Sequence, residues 1–155
     1  MDRETTETNE VITLVYEYLG RIRSLERQIT RLQLQRDELQ SCLLPKAIRY
    51  DQDKVQSSPE DAMGETAAAV LDLDRKIEVL KREKAQLIQE ISKTIEMLDD
   101  EMEKLVLTAY YICRMPIRKV SDRIHYSRSQ TYRLYQSGII HLSEKMRQMG
   151  QTHVI

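Results

Sequence analysis

The feature that most constrains this chain is a row of apolar residues recurring at alternating spacings of four and three. Val11, Val15, Tyr18, Ile22, Leu25, Ile29, Leu32, Leu39 and Leu43 form the first row. That spacing is a heptad seam, which demands a partner helix. Arg36 fills the seam position between Leu32 and Leu39, where a polar residue either fixes register and partner number or lays its stem along the seam and lifts its charge into water. A second row runs Val70, Leu73, Ile77, Leu80, Leu87, Ile91 and Leu98, with Lys84 and Thr94 as its polar members. No glycine follows Gly20 and no proline precedes Pro45 in the first stretch. The first helix is therefore expected to reach about Leu44, roughly 50 Å at 1.5 Å per residue.

Pro45 stops that helix, and positions 45–65 contain Pro59, Gly64 and paired serines, which is loop composition. Within it, Ala47 to Asp51 and Lys54 to Pro59 read either as a docking loop or as the cap of a hairpin. Ser58-Pro59-Glu60-Asp61 also looks like a helix start, with Ser58 as N-cap. Two seams of similar length joined by one loop predict an all-α fold with a long antiparallel coiled-coil hairpin. The same apolar faces also allow pairing between chains as a homodimer. The chain has no Trp or Phe and is 32% charged, so aliphatic seams must supply the core. Cys42 and Cys113 are far apart, and no Cys or His stands at zinc-site spacing, so reduced thiols and no metal or cofactor are expected. No apolar run has membrane-spanning length and the N-terminus lacks signal-peptide character, which points to a cytoplasmic protein.

Beyond Leu98 the spacing becomes Leu98, Met102, Leu105 and Ala109, a 3.6-residue period suited to a globular head. Pro116 is expected to end the long helix at about Arg114. A short helix follows, with Ile117, Val120 and Ile124 on one face and Arg118, Lys119, Asp122 and Arg123 mostly on the other. His125-Tyr126-Ser127 then has turn chemistry: His tolerates positive φ, Tyr126 can plug the corner and Ser127 can cap the next helix. That helix, about 127 to 142, would pack Thr131, Leu134, Tyr135, Gly138 and Leu142 inward. Helix, tight turn and basic amphipathic helix together make a C-terminal helix-turn-helix reading the major groove of double-stranded DNA. The candidate DNA-binding residues are Arg118, Lys119, Arg123, Arg128, Ser129, Gln130, Tyr132 and Arg133.

Charge distribution agrees. Between Arg114 and Arg147 there are eight basic residues against Asp122 and Glu144, a net of +6 in a chain whose total is −1. Just upstream, Glu96, Asp99, Asp100, Glu101 and Glu103 face only Lys104. The expectation is a basic head that binds phosphates above an acidic collar that keeps the hairpin away from DNA.

The run from Pro116 to Leu142, Pro-Ile-Arg-Lys-Val-Ser-Asp-Arg-Ile-His-Tyr-Ser-Arg-Ser-Gln-Thr-Tyr-Arg-Leu and onward, resembles the C-terminal promoter-binding domain of bacterial sigma factors, region four. That resemblance implies DNA contact by Arg128, Ser129, Tyr132 and Arg133, and core positions for Val120, Ile124, Tyr126, Leu134 and Leu142. Ser129 and Tyr132 stand where that family commonly has charged residues, and Gly138 replaces a helix former. The Ala47–Pro59 loop between two coiled-coil helices ahead of such a head is similar to short coiled-coil plus helix-turn-helix proteins of phages and prophages of Gram-positive bacteria. Late-gene transcription regulators of the RinA and ArpU types are of this kind. The resemblance implies a phage-encoded transcription regulator with RNA polymerase as a further partner.

The expected organisation is a disordered tail at 1–8, the hairpin at 9–98 with its loop at 45–65, the helix-turn-helix at 99–147 and a tail at 148–155. No Gly-rich phosphate loop and no nucleophile–base pairing with supporting context is present, so catalysis is not expected. Two further readings remain: a phage DNA-packaging recognition subunit, which would form a ring, and a structural coiled-coil adaptor, which would bind no DNA.

Overall fold

The computed structural model describes residues 2–44 and 59–150. Its elements are helices α1 (Asp2–Leu43) and α2 (Pro59–Ile95), helix α3 (Glu101–Leu107), a π-helical turn (Thr108–Ile112), and helices α4 (Ile117–Ile124) and α5 (Arg128–Gln148). Among the described residues there is no strand, and no helix is long and apolar enough to cross a membrane. The chain divides into two units, one of Leu25–Lys84 and one that joins Met1–Ser24 to Ala85–Ile155.

In the contiguous unit the two seams meet. Ile29 and Leu32 of α1 pack on Leu73 and Ile77 of α2, with Leu39 and Leu80 against them. Arg36 Nη1 lies 3.3 Å from Asp74 Oδ1, and Lys84 Nζ lies 3.8 Å from Glu26 Oε1. Ten residues forward on α1 thus correspond to ten residues back on α2, which makes the pairing antiparallel and internal to the chain. Each buried aliphatic side chain contributes about 1.5–3 kcal/mol, whereas half-exposed ion pairs contribute at most about 1 kcal/mol. The apolar seam therefore carries stability, and the ion pairs select the register.

In the discontinuous unit, too, α1 meets α2. The Thr94 hydroxyl donates to the Glu90 carbonyl at 3.0 Å, so Tyr18 is the donor in the 3.2 Å bond between Tyr18 Oη and Thr94 Oγ1. Val15, Leu19, Ile22, Ile91, Ile95 and Leu98 are buried. The polar seam positions Arg36, Lys84 and Thr94 thus each find a partner on the opposite helix.

Several boundaries differ from those expected. α1 starts at Asp2 rather than after a tail at 1–8, because extending an existing helix through residues free of Gly and Pro adds a hydrogen bond for each residue fixed. α2 starts at Pro59, inside the expected 45–65 loop, since proline at a first helical position has no N–H to leave unpaired. Ser58 as its cap, the Ala47–Pro59 loop and the last residues of the C-terminal tail lie outside the described residues. The expected single helix to about Arg114 is broken between Ile95 and Glu101. Tight bonds from Met97 N to Thr94 O and from Leu98 N to Ile95 O, both 3.1 Å, close α2. Asp100 then caps α3, accepting from the N–H groups of Met102 (2.7 Å) and Glu103 (3.1 Å). The break rotates the face that follows: Val106 and Leu107 are fully buried, while Leu105 is 46% exposed.

Candidate nucleic-acid interface

The C-terminal helices pack around Val106, Ala109 and Val120, with Met115, Ile124, Leu134 and Tyr135 against them. Pro116 precedes α4, and the Ser121 hydroxyl donates to the Ile117 carbonyl at 2.9 Å, which lets Ser121 stay buried. His125 closes α4 in the left-handed region, φ 59 and ψ 36, with its N–H on the Ser121 carbonyl. Tyr126 N–H donates to the same carbonyl at 3.2 Å. This turn is closed by backbone, so the Tyr126 ring is not needed in the corner: it is 43% exposed rather than in the core.

Ser127 then starts α5 through a reciprocal capping box. Its hydroxyl accepts from Gln130 N–H at 3.1 Å, and Gln130 Oε1 accepts from Ser127 N–H at 3.2 Å. Gln130, expected as a DNA contact, thus spends its side-chain oxygen on fixing the helix start. Thr131 is fully buried, with its hydroxyl on the Ser127 carbonyl at 2.9 Å. Thr131, Gly138 and Leu142 are buried and Leu134 and Tyr135 half-buried, so the expected inward stripe of α5 is observed.

That orientation leaves the other candidates outward. Arg118, Lys119 and Arg123 on α4, and Arg128, Ser129, Tyr132 and Arg133 on α5, are all exposed. None of these five cations forms an ion pair among the described residues. The acidic run upstream finds its partners elsewhere, and Glu96, Asp99 and Glu101 keep their carboxylates exposed. Glu103 is only 4% exposed and is held by three bonds: Ser137 Oγ donates at 2.7 Å, and His141 Nδ1 lies 2.9 Å from each carboxylate oxygen. This hydrogen bond to Glu103 raises the His141 pKa above the usual histidine value. Lys104 lies 2.9 Å from Glu101 and 3.3 Å from Glu96, and Lys145 lies 2.8 Å from Asp99. The hydrogen bond from Lys145 holds the Asp99 carboxyl below its ordinary value. Asp100 serves as the cap of α3, so of the acidic run only Glu103 is withdrawn from solvent.

Behind the basic face lies a cluster of tyrosines that no local spacing announces. The π-helical turn places Tyr110 edge-on to Tyr111, ring centroids 4.8 Å apart, and Tyr110 edge-on to Tyr135 at 5.1 Å. The hydroxyls of Tyr111 and Tyr135 are 2.7 Å apart. Burial, and after it this bond to Tyr135, pushes the Tyr111 hydroxyl far above the ordinary tyrosine value. Arg23 of α1 lies over the Tyr110 ring at 4.2 Å and donates through Nη2 to the Tyr110 carbonyl at 3.0 Å. No group of three or more His, Cys, Asp or Glu able to hold a metal occurs among the described residues.

A protein-family model described as a protein of unknown function, DUF1492, matches residues 45–143, more than half of the chain. No curated protein and no solved structure matches it.

Proposed function

The chain belongs to the DUF1492 family, whose description assigns no activity, and we propose that it is a sequence-specific double-stranded-DNA-binding regulator of transcription. The observation that carries this reading is the exposed cation set Arg118, Lys119, Arg123, Arg128 and Arg133, without ion pairs among the described residues, on two helices joined by a left-handed turn. Such charges bind phosphates by releasing condensed counterions. α5 is the recognition helix, because its N-terminal turn is rigidly capped and projects Arg128, Ser129, Tyr132 and Arg133 outward. α4 crosses the backbone. The likeness to sigma region four and to RinA- and ArpU-type proteins supports a phage or prophage regulator that works in the cytoplasm with RNA polymerase.

The test is fluorescence anisotropy of the full chain with labelled duplexes across a salt series. Three to five phosphate contacts give a slope of log affinity against log salt of about −3 to −5, and selection from random duplexes yields a preferred site. Absence of binding to every duplex at low salt would remove this reading.

A further inference from the structure

Tyr132 ends a row of nearly parallel rings. It lies against Tyr135 with centroids 5.9 Å apart and planes at 22°, and Tyr135 lies against Tyr111 at 6.0 Å and 22°. Tyr110 meets Tyr135 edge-on, and Tyr16 of α1 flanks Tyr135 at 6.3 Å. Tyr135 is therefore enclosed on several sides. The outer ring, Tyr132, keeps 50% of its surface exposed. It sits one turn after Arg128 and next to Arg133, on the face that α5 turns outward.

We propose that Tyr132 is the thymine-reading residue of this head, its exposed ring edge packing on the thymine C5-methyl group in the major groove. This rests on the reading of the head as a duplex-DNA binder. Each base pair presents a different pattern in that groove, and the apolar group among them is the thymine methyl. A ring pressed against any other base edge would cover donors and acceptors that then lack partners. Position also fits, since residues in the first turns of a recognition helix are those that reach base edges. Rigidity fits as well. A free surface tyrosine loses rotamer freedom on binding, but packing on Tyr135, which Tyr111 and Tyr110 hold in turn, already restricts this one. Tyr135 is then a positioning residue that acts through Tyr132.

The experiment uses the full chain and the duplex it selects from a random library, with each thymine replaced in turn by deoxyuridine, which lacks only the methyl. The expected result is a loss of about four- to tenfold at one or two positions, the scale of burying one methyl-sized group. Tyr132→Ser is expected to bind the thymine and uracil duplexes equally, and Tyr132→Phe to keep the preference. Indifference of the unmutated protein to every replacement overturns the proposal, as does a selected site without thymine or a penalty that persists in Tyr132→Ser. Stronger binding to the single strand than to the duplex also overturns it, because the ring would then be a base-stacking platform. In these cases duplex or strand binding persists, whereas loss of all DNA binding by the unmutated protein removes the proposed function itself.

Discussion

The carboxylate of Glu103 and the imidazole of His141 lie 2.9 Å apart, and this pair, with Ser137, fastens α3 to the helix that carries the basic face. Glu103 is buried while His141 is exposed on one side. The imidazole is therefore reached by solvent while the carboxylate that holds it is not.

The pH dependence follows from the direction of the His141 shift. Its folded-state pKa lies above 6.5, chiefly through the Glu103 hydrogen bond. The protonated form is thus favoured by folding, and its stabilisation is complete below the unfolded value and lost as pH rises through the folded one. Denaturant midpoints are expected to fall between pH 6 and 8, and His141→Gln to flatten that decline. An equal decline in the variant would assign the dependence to other groups.

Gly138 lets α5 pack closely on α3. A Cβ there would meet Leu107 Cδ1 and Cγ at 3.3 Å and Glu103 Cβ at 3.4 Å. In Gly138→Ala the helix-propensity gain of about 1 kcal/mol opposes that crowding, so the net change should be small. Gly138→Val should destabilise by about 1–3 kcal/mol through overpacking. Calorimetry of both variants checks the contrast, and a stabilised valine variant would contradict the close packing.

Cavity formation should distinguish two neighbouring positions of α5. Ile139 is fully buried and Leu134 only partly so. Ile139→Ala is expected to cost about 2–5 kcal/mol, and Leu134→Ala less. The order is read from urea midpoints, with circular dichroism confirming that the helical hairpin persists.

The two helices of the head should fail differently. Arg133→Ala, which removes a candidate base-reading guanidinium from α5, should cost about 1–3 kcal/mol on the selected duplex and little on random DNA. Lys119→Ala should weaken binding to all duplexes and make the salt slope shallower by about one unit. Unchanged binding in both would take the interface off these helices.

The hairpin was legible because its information is local: aliphatic residues at heptad spacing specify a face, and Arg36, Lys84 and Thr94 stand out as its polar members. The capped turn at His125 to Ser127 was legible for the same reason. The break before α3 is masked in the sequence, although Asp100 and Glu103 carry an N-cap signature, because the continuing run Leu98, Met102, Leu105 and Ala109 has the period of an uninterrupted helix. In sequence Glu103 is indistinguishable from a surface acid, since its partners Ser137 and His141 lie more than thirty residues away. The tyrosine cluster joins positions 16, 110, 111, 132 and 135, and only the tertiary fold brings such positions together. The capping role of Gln130 is not separable in sequence from DNA contact, because both call for the same polar amide.

The unit that holds the basic face is built from both ends of the chain, Met1–Ser24 and Ala85–Ile155, with the other unit inserted between them. During synthesis Leu25–Lys84 can close on itself as soon as it leaves the ribosome. Val15, Leu19 and Ile22 must instead wait for Ile91, Ile95 and the helices beyond. At about 5–20 residues per second, that delay is a matter of seconds. For that interval the nascent N-terminal helix carries an uncovered apolar stripe, which is a natural target for a chaperone.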